Sequence, residues 1–421
     1  MNYTRTILKN GLRLITVPMP KNQTVTMTVM ANVGARYESL ELSGISHFLE
    51  HMCFKGTKNR TAKQIAFELD SLGADSNAFT GQEATGYYAK AHFSHLPKIA
   101  EILSDIYLNS TFPPEEIEKE RGVIIEEINM YEDMPQSKVS DVFAATFYQD
   151  HPMGRSIAGP KENIKRFTQA DFINYHHTHY SAAATTIVVA GNVKPAQVKK
   201  LVEKYFAVLT KKPLMKPEPV AVQQSAPLSN IAFKDTDQSH LVLGFRTFDM
   251  YNKKRPILSV LCAVLGSGMS SRLFSKMREE LGICYYIRSG ISLSTDSGAL
   301  VIRSGVGHGR LAEAINGILS EIKKLKEEKV PANELEKVRS MFVSDVVMGL
   351  ETSNQNAEFY GEQELFREKI REPQEMIAAI KKVTPAQIQA LAKEIFQDKN
   401  MVFAVIGPNK NADEIKKLLT V

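Results

Sequence analysis

The sequence contains few cysteines and no long hydrophobic run. Its three cysteines, Cys53, Cys262 and Cys284, are an odd and widely spaced set among 421 residues. Such a set cannot form a disulfide framework, which excludes the small secreted domains that disulfides hold together. No apolar run approaches the ~18 residues that a membrane-spanning helix needs, and the amino terminus lacks the apolar core of a signal peptide. We therefore expect a cytoplasmic protein in a reducing compartment, with no membrane partner.

An excess of one charge is also lacking. The chain has 52 basic and 47 acidic residues, which gives a formal net charge of only +5. No basic run with interleaved aromatic residues occurs, so we expect no nucleic-acid partner. Hydrophobic residues make up 43% of the chain, as in a globular protein. A chain of this length is too long for one ordinary core and predicts more than one domain.

The two halves of the chain resemble each other. TQADF at Thr168 recurs as TPAQI at Thr384, and the strand-like segment ending in Gly191 recurs in the segment ending in Gly407. Both pairs are separated by the same 216 positions. Because several short matches keep their order and spacing, we interpret the chain as a duplicated unit rather than as a chance similarity.

Each half begins with alternating, strand-like sequence, continues with long amphipathic helices, and ends with an apolar strand, a glycine turn and a last helix. This order lacks strict βαβ alternation and favours an α+β fold over a doubly wound sheet. A Lys- and Pro-rich stretch at the middle of the chain is typical of a linker. The predicted organisation is a first domain at 1–212, a linker at 213–230 and a homologous second domain at 231–421.

The segment GISHFLEHMCFKGT contains His47, Glu50 and His51 in the pattern H-x-x-E-H. Residues four apart lie on one face of a helix, so the two imidazoles can reach one metal ion. Glu50 borders that face and can accept a proton from a water at the metal without being a ligand. Taken alone, this short pattern also occurs by chance in unrelated helices.

A catalytic zinc site normally has three protein ligands, so a third must come from elsewhere. The segment TFPPEEIEKERGVIIEEINMYED reads as a long helix that begins at the prolines. Glu120 and Glu127 are seven apart on it and share one face, roughly 20° from alignment. Glu127 is the candidate ligand, and Glu120 is the candidate partner of a ligand imidazole. Two carboxylates on a helix can equally form a solvated face.

These residues resemble the pitrilysin/insulinase family of zinc metallopeptidases. The resemblance rests on Gly34-Ala-Arg-Tyr-Glu38, on the following H-x-x-E-H segment, and on Glu120 with six residues before Glu127. It covers nearly the whole chain and is closest to the short bacterial members that are similar to mitochondrial processing peptidase. The family spacing selects Glu127 over its neighbour Glu126.

The resemblance implies the roles of the site residues. It implies one Zn²⁺ per chain, held by His47, His51 and Glu127, with Glu50 as the base that activates the zinc-bound water. Glu120 would hold a ligand imidazole in place.

Two further segments match the family. SNAFTGQEATGYYA resembles the strand that pairs with the substrate backbone, which implies substrate binding at Asn77 and Ala78. Without the resemblance, Asn77 would read as a turn residue. GSGMSSRLFSKMREELGICYYI resembles the segment that carries an Arg/Tyr pair, here Arg278 and Tyr285, which binds substrate and stabilises the oxyanion. Tyr286 is the neighbour that could be confused with Tyr285.

The second half departs from the metal-binding pattern. LCAVLGSGMS occupies the place of the H-x-x-E-H segment, and Val338 and Asp345 occupy the places of the two helix carboxylates. We therefore expect one catalytic and one non-catalytic domain. The cluster His176, His177 and His179 lacks a matching carboxylate, and we interpret it as surface or core.

The function implied is a zinc endopeptidase that acts on peptides or unfolded small proteins. Long family members enclose substrate in a clamshell of four domains, so two domains imply half a clamshell and a homodimer. One alternative is a non-catalytic scaffold or partner subunit of the same fold. Another is a catalytic subunit that needs a separate inactive partner.

Overall fold

The computed structural model describes residues 3–366, 369–409 and 411–421, in which eleven strands form two sheets. The strands are β1 (Thr4–Ile7), β2 (Arg13–Pro18), β3 (Thr24–Ala31), β4 (Asp75–Thr80), β5 (Thr85–His92), β6 (Thr185–Gly191), β7 (Leu228–Phe233), β8 (Ser239–Arg246), β9 (Cys284–Leu293), β10 (Gly298–Val306) and β11 (Met401–Gly407).

The described residues also contain sixteen α-helices. They are α1 (Ile45–Met52), α2 (Ala62–Ser71), α3 (Leu96–Leu108), α4 (Pro114–Asp133), α5 (Pro135–Tyr148), α6 (Lys161–Arg166), α7 (Gln169–His179), α8 (Pro195–Phe206), α9 (Arg255–Gly266), α10 (Arg272–Phe274), α11 (Leu311–Glu327), α12 (Ala332–Met348), α13 (Ser353–Leu365), α14 (Pro373–Lys381), α15 (Pro385–Ile395) and α16 (Ala412–Lys417). The short α10 continues into a π-helical turn at Ser275–Glu280. Among the described residues, no helix has both the length and the apolar run that crossing a membrane would require.

The two sheets have the same topology apart from β1, an additional edge strand of the first sheet. The first has the order β1-β2-β6-β3-β5-β4 and the second the order β7-β11-β8-β10-β9. In both, one parallel pair, β2 with β6 or β7 with β11, is followed by three antiparallel pairs. The predicted α+β class, with two mostly antiparallel sheets packed by helices, is therefore confirmed.

The chain folds into two compact units, and each combines segments from both halves of the sequence. The first unit holds the described residues of Met1–Ile128, Arg155–Glu218 and Val347–Glu372. The second holds those of Asn129–Gly154, Pro219–Val346 and Pro373–Val421. The sequence boundaries 1–212, 213–230 and 231–421 follow the repeats, whereas the units follow packing and cross these boundaries.

Each unit is mixed because a helix from the other half of the sequence covers its sheet. We call this the helix exchange. In the first, α13 covers one face of the sheet, where Ala357 and Tyr360 pack against Val17, Val188 and other apolar residues of β2 and β6. The opposite face packs on α1, α3, α7 and α8. Because the sheet is covered on both faces, β6 is buried along its whole length and ends in an apolar run from Ile187 to Ala190 rather than in an alternating pattern.

The second unit shows the same arrangement. Helix α5 covers one face of its sheet, with Phe143 and Phe147 against Val242, Val402 and Ala404. The opposite face carries α9, α11 and α15 in a separate core. Strand β11 is accordingly buried along its whole length, as β6 is in the first unit.

Candidate metal centre and active site

Helix α1 presents the H-x-x-E-H residues because most of its other side chains are apolar and buried. Phe48, Leu49 and Met52 are buried in the core of the first unit. This burial fixes the rotation of the helix. His47 and His51 therefore lie together on the remaining face, with their ring centroids 4.7 Å apart.

A buried carboxylate holds the amino end of α1. The Glu38 oxygens accept hydrogen bonds from the backbone N–H groups of Gly44 and Ser46, at 2.8 and 2.7 Å. These N–H groups have no partner within the helix, so Glu38 acts as its cap. Burial raises the pKa of Glu38 to about 7, against the lowering effect of these hydrogen bonds. Sequence reasoning missed this role, although Glu38 ends the quoted Gly34-to-Glu38 motif.

Helix α4 brings the distant carboxylate to the same place. Glu127 Oε2 lies 3.7 Å from His47 Nε2 and 3.8 Å from His51 Nε2. One ligand atom from each of the three residues lies within 4.8 Å of the others. Within the part of the chain that the structure describes, this is the one group of histidine, cysteine and carboxylate side chains with such spacing.

The three donors fit a zinc ion. Donors at about 2.1 Å from a tetrahedral ion lie about 3.4 Å apart, close to the separations of Glu127 from the two rings. Two imidazoles and one carboxylate are also a donor set that zinc prefers. Burial and the neighbouring His51 lower the pKa of His47 to about 4, which keeps its ring neutral as a ligand must be.

The imidazoles of His47 and His51 differ in the hydrogen-bond partner of Nδ1. His51 Nδ1 lies 2.8 Å from Glu120 Oε1, and Lys55 Nζ lies 2.6 Å from Glu120 Oε2. Burial opposes ionisation of Glu120, but its contacts with His51 and Lys55 prevail and lower its pKa. His47 Nδ1 is buried and has no hydrogen-bond partner among the described residues. Glu120 thus contacts the imidazole of His51, one of the candidate ligands.

Glu50 lies next to this group and is held by strand β4. Thr80 donates a hydrogen bond from its hydroxyl to Glu50 Oε2 at 2.6 Å. Burial raises the pKa of Glu50, with the charge of Glu127 adding to the effect. A raised pKa suits a carboxylate that takes up a proton and returns it near neutral pH. Thr80 was not singled out from the sequence, because no periodic pattern connects a strand to a helix thirty residues away.

Strand β4 is a free edge of the first sheet, since β5 is its only partner among the described residues. Asn77 and Ala78 lie within this strand, not in a turn. Asn77 is exposed, and its Oδ1 accepts a hydrogen bond from the Ala78 N–H at 2.8 Å. The edge offers backbone groups to which an extended peptide can add.

The segment before α1 also holds the turn that follows β4. The backbone N–H groups of Ala35 and Arg36 donate to Gly81 O and Gln82 O, at 3.1 and 2.9 Å. Arg36, fully buried, bonds Glu83 at 2.7 Å. Residues 34–38 therefore fix both the end of the edge strand and the start of α1.

Arg278 and Tyr285 lie together in the second unit. Arg278 Nη1 donates to the backbone oxygen of Tyr285 at 2.7 Å, and its guanidinium lies 5.1 Å from the Tyr285 ring centroid. The Tyr285 side chain is 76% exposed. Tyr286 differs, because its hydroxyl lies 3.0 Å from His240 Nδ1. Of the two tyrosines, Tyr285 is the one whose phenol is open to a ligand.

The remaining candidate residues do not form a second metal centre. Val338 is buried in the core of the second unit, and Asp345 is exposed. His176 donates from Nε2 to Tyr107 O at 2.8 Å and packs on Tyr180. His179 is buried against Tyr175. The structure places His176 and His179 against core residues and leaves His177 exposed, in agreement with the interpretation of the cluster as surface or core.

Comparison with known proteins finds family models and relatives that match most of this chain. The family model described as insulinase (peptidase family M16) matches residues 13–161, and that of the peptidase M16 inactive domain matches residues 166–342. A protein named an uncharacterized zinc protease in Rickettsia bellii is 37% identical over 97% of this chain and 98% of its own. The chain belongs to the insulinase family of peptidases. The predicted family membership is confirmed.

Further proteins are similar to this chain over nearly its whole length. An uncharacterized zinc protease of Bacillus subtilis is 34% identical over 96% of this chain and 98% of its own. A protease structure from Helicobacter pylori has a TM-score of 0.91 at 24% identity and covers 97% of this chain and 99% of its own. At that identity the structural likeness shows the fold alone. The match to the inactive-domain model lies mostly in the half of the chain without H-x-x-E-H.

Proposed function

We propose that this insulinase-family chain is a zinc-dependent endopeptidase. The observation that carries the proposal is the convergence of His47, His51 and Glu127 from two helices, with a buried carboxylate, Glu50, beside them. A zinc ion held there supplies a Lewis acid that acidifies water and polarises a carbonyl. The names of the relatives, zinc proteases, support the choice of metal and reaction class.

Glu50 would act as the general base and then as the general acid. Its Oε2 is held by Thr80, which leaves Oε1 to take a proton from the attacking water and deliver it to the leaving nitrogen. Burial raises its pKa, which makes the acid form easier to reach and so supports both transfers.

The substrate-binding roles are part of the same proposal. The edge of β4 at Asn77 and Ala78 would bind the peptide as an added strand, which favours extended over folded substrates. The exposed phenol of Tyr285 and the guanidinium of Arg278 are donors suited to a developing negative oxygen.

Two carboxylate substitutions test the proposal. We expect Glu50→Gln to keep stoichiometric zinc and its fold but to lose peptide hydrolysis by at least about 100-fold, because only the proton carrier is removed. We expect Glu127→Gln to lose zinc, whereas its exposed neighbour Glu126→Gln should keep both metal and activity. Metal analysis of the purified proteins and a quenched-fluorescent peptide assay measure both quantities.

Zinc-free parental protein, or a Glu50→Gln variant that cleaves at the parental rate, would contradict this function. Parental protein that binds zinc yet hydrolyses no peptide would favour the scaffold alternative.

The assembly is a separate proposal. We infer that two copies pair into a chamber in which Arg278 and Tyr285 of one protomer serve the metal centre of the other. This rests on the resemblance to longer family members. The cytoplasmic location and the lack of nucleic-acid and membrane partners stay predictions from composition.

Complementation tests the pairing. We expect a mixture of Glu50→Gln protein and Arg278→Ala/Tyr285→Ala protein to regain activity after the two are dissociated and reassociated, since each mixed dimer holds one intact site. The parental protein should elute as a dimer in gel filtration. Mixed dimers without recovered activity would contradict the shared site.

A further inference from the structure

Lys55 lies just beyond the end of α1, in the turn that closes the H-x-x-E-H helix. Its backbone N–H donates to Met52 O at 3.1 Å, which fixes the turn against the helix. Its side chain is 30% exposed and ends with Nζ 2.6 Å from Glu120 Oε2. Lys55 is therefore directed at the carboxylate of α4 rather than into solvent.

Both carboxylate oxygens of Glu120 contact side chains of α1 or of the turn that follows it. Oε1 lies 2.8 Å from His51 Nδ1, while Oε2 contacts Lys55. The Glu120 side chain is only 7% exposed. A carboxylate so far removed from water needs a compensating charge, because an unpaired buried charge is strongly disfavoured.

His51 cannot supply that charge while it serves as a metal ligand, because a ligand imidazole must be neutral. Lys55 Nζ lies 2.6 Å from Glu120 Oε2 and provides a cationic partner that is separate from His51. It also fixes the direction of the carboxylate, since Oε2 is held by Lys55 while Oε1 accepts the Nδ1–H of His51.

The contact between Glu120 and His51 Nδ1 determines which form the other ring nitrogen, Nε2, takes. A proton held on Nδ1 leaves the lone pair on Nε2, which is the atom of His51 nearest Glu127, at 3.8 Å. His47 has no comparable support, because its Nδ1 is without a partner among the described residues. The orientation of one of the two imidazoles therefore depends on the contact between Lys55 and Glu120.

We propose that Lys55 is a positioning residue of the metal site, which acts through Glu120 to hold His51 ready for zinc. The inference rests on the proposed function, since it assumes that His51 is a ligand. It adds a residue outside the H-x-x-E-H pattern and gives the network the order Lys55, Glu120, His51.

Zinc affinity of the metal-free protein tests the role directly, without any assay of activity. Titration of Zn²⁺ against a chromophoric chelator should give a dissociation constant about 10- to 100-fold higher for Lys55→Met than for the parent, the usual effect of losing such a supporting contact. Lys55→Arg, which keeps a cationic donor, should recover most of the affinity. Lys98→Met is a matched control, since Lys98 also pairs with a carboxylate at 2.8 Å and is 38% exposed.

A double variant shows whether Lys55 works through Glu120. Lys55→Met/Glu120→Gln should bind zinc about as weakly as Glu120→Gln alone, because residues in one chain of contacts are not additive. Thermal unfolding of each metal-free variant separates loss of affinity from loss of fold. If Lys55→Met does not fold, Lys55→Gln takes its place with the same expected result.

The outcomes distinguish this inference from the function on which it rests. A parent that binds zinc tightly, together with a folded Lys55 variant of unchanged affinity, would overturn the role of Lys55 alone. Additive losses in the double variant would also overturn it. A parent that binds no zinc would overturn the metal centre itself.

Discussion

The Thr80 hydroxyl shows how one residue on a strand orients a carboxylate on a helix. It donates to Glu50 Oε2 at 2.6 Å, so one carboxylate oxygen is occupied, and the proposed function assigns proton transfer to the other. A hydrogen bond to an ionised group stabilises it by about 1.5–3 kcal/mol. Losing it should affect the orientation of Glu50 rather than the metal ligands.

We expect Thr80→Val to lower the turnover number by about 10- to 100-fold, because valine keeps the shape of threonine but cannot donate. Thr80→Ser, which keeps the hydroxyl, should retain most of the turnover. Steady-state peptide hydrolysis at equal zinc content measures the difference. Equal turnover of the valine and serine variants would show that the hydroxyl does not position the base.

At this scale the sequence predicted the residues that share one helix face or match a family motif. The spacing predicted that His47 shares a helix face with His51, and Glu120 with Glu127. In the structure, the two helices lie close enough for these faces to meet. Thr80 and Lys55 could not be selected in the same way. Their partners lie thirty or more positions away, and the fold determines which side chains meet across such a distance.

The packing of α5 on the second sheet depends on a glycine, Gly244, in β8. A methyl group at Gly244 of β8 would overlap the ring of Phe143, which is buried between helix and sheet. Glycine at this position lets the aromatic ring lie directly on the strand. The helix and the strand are therefore matched in shape, not only in hydrophobicity.

We expect Gly244→Ala to lower the free energy of unfolding by about 1–3 kcal/mol, because a packed ring has no room to move. Gly122→Ala is the control: it lies on the exposed face of α4 with no atom near its would-be Cβ, and it should stabilise by up to about 1 kcal/mol. Melting temperatures measure both. A Gly244→Ala protein as stable as the parent would contradict the close packing of α5.

Among the elements, strands and helices were predictable from periodicity, but the exchange of α5 and α13 was not. An amphipathic helix shows which of its faces is buried without showing which sheet covers it. The sequences of β6 and β11 indicate that some element covers each sheet, because their apolar runs predict burial on both faces. The identity of the covering helix depends on packing between distant parts of the chain.

The acid stability of the molecule as a whole should depend on its buried histidines. Burial lowers the pKa of His176 to about 4, although its contact with the Tyr107 carbonyl opposes the shift. In the unfolded chain the pKa of a histidine is about 6.5. Unfolding therefore takes up a proton at pH values between about 4 and about 6.5. The stabilising effect of the neutral ring is complete above ~6.5 and declines as the pH falls toward 4.

We expect His176→Gln, which keeps an N–H donor but cannot be protonated, to lose less stability between pH 6.5 and 4 than the parent. The difference should reach up to about 3 kcal/mol, at about 1.4 kcal/mol per pKa unit. His177→Gln, on the exposed side of α7, should follow the parent. Denaturant midpoints across this range provide the test, and parallel curves for the parent and His176→Gln would contradict it.

The helix exchange limits how such a chain can be divided or could have arisen. A fragment cut at the central proline-rich stretch would keep α5 without the sheet it covers and would leave β2 and β6 bare where α13 belongs. A protein one repeat long could bury the same surfaces by trading this helix with a second molecule. Two such molecules would form an intertwined pair, and a linker between them would give one polypeptide with the exchange seen here.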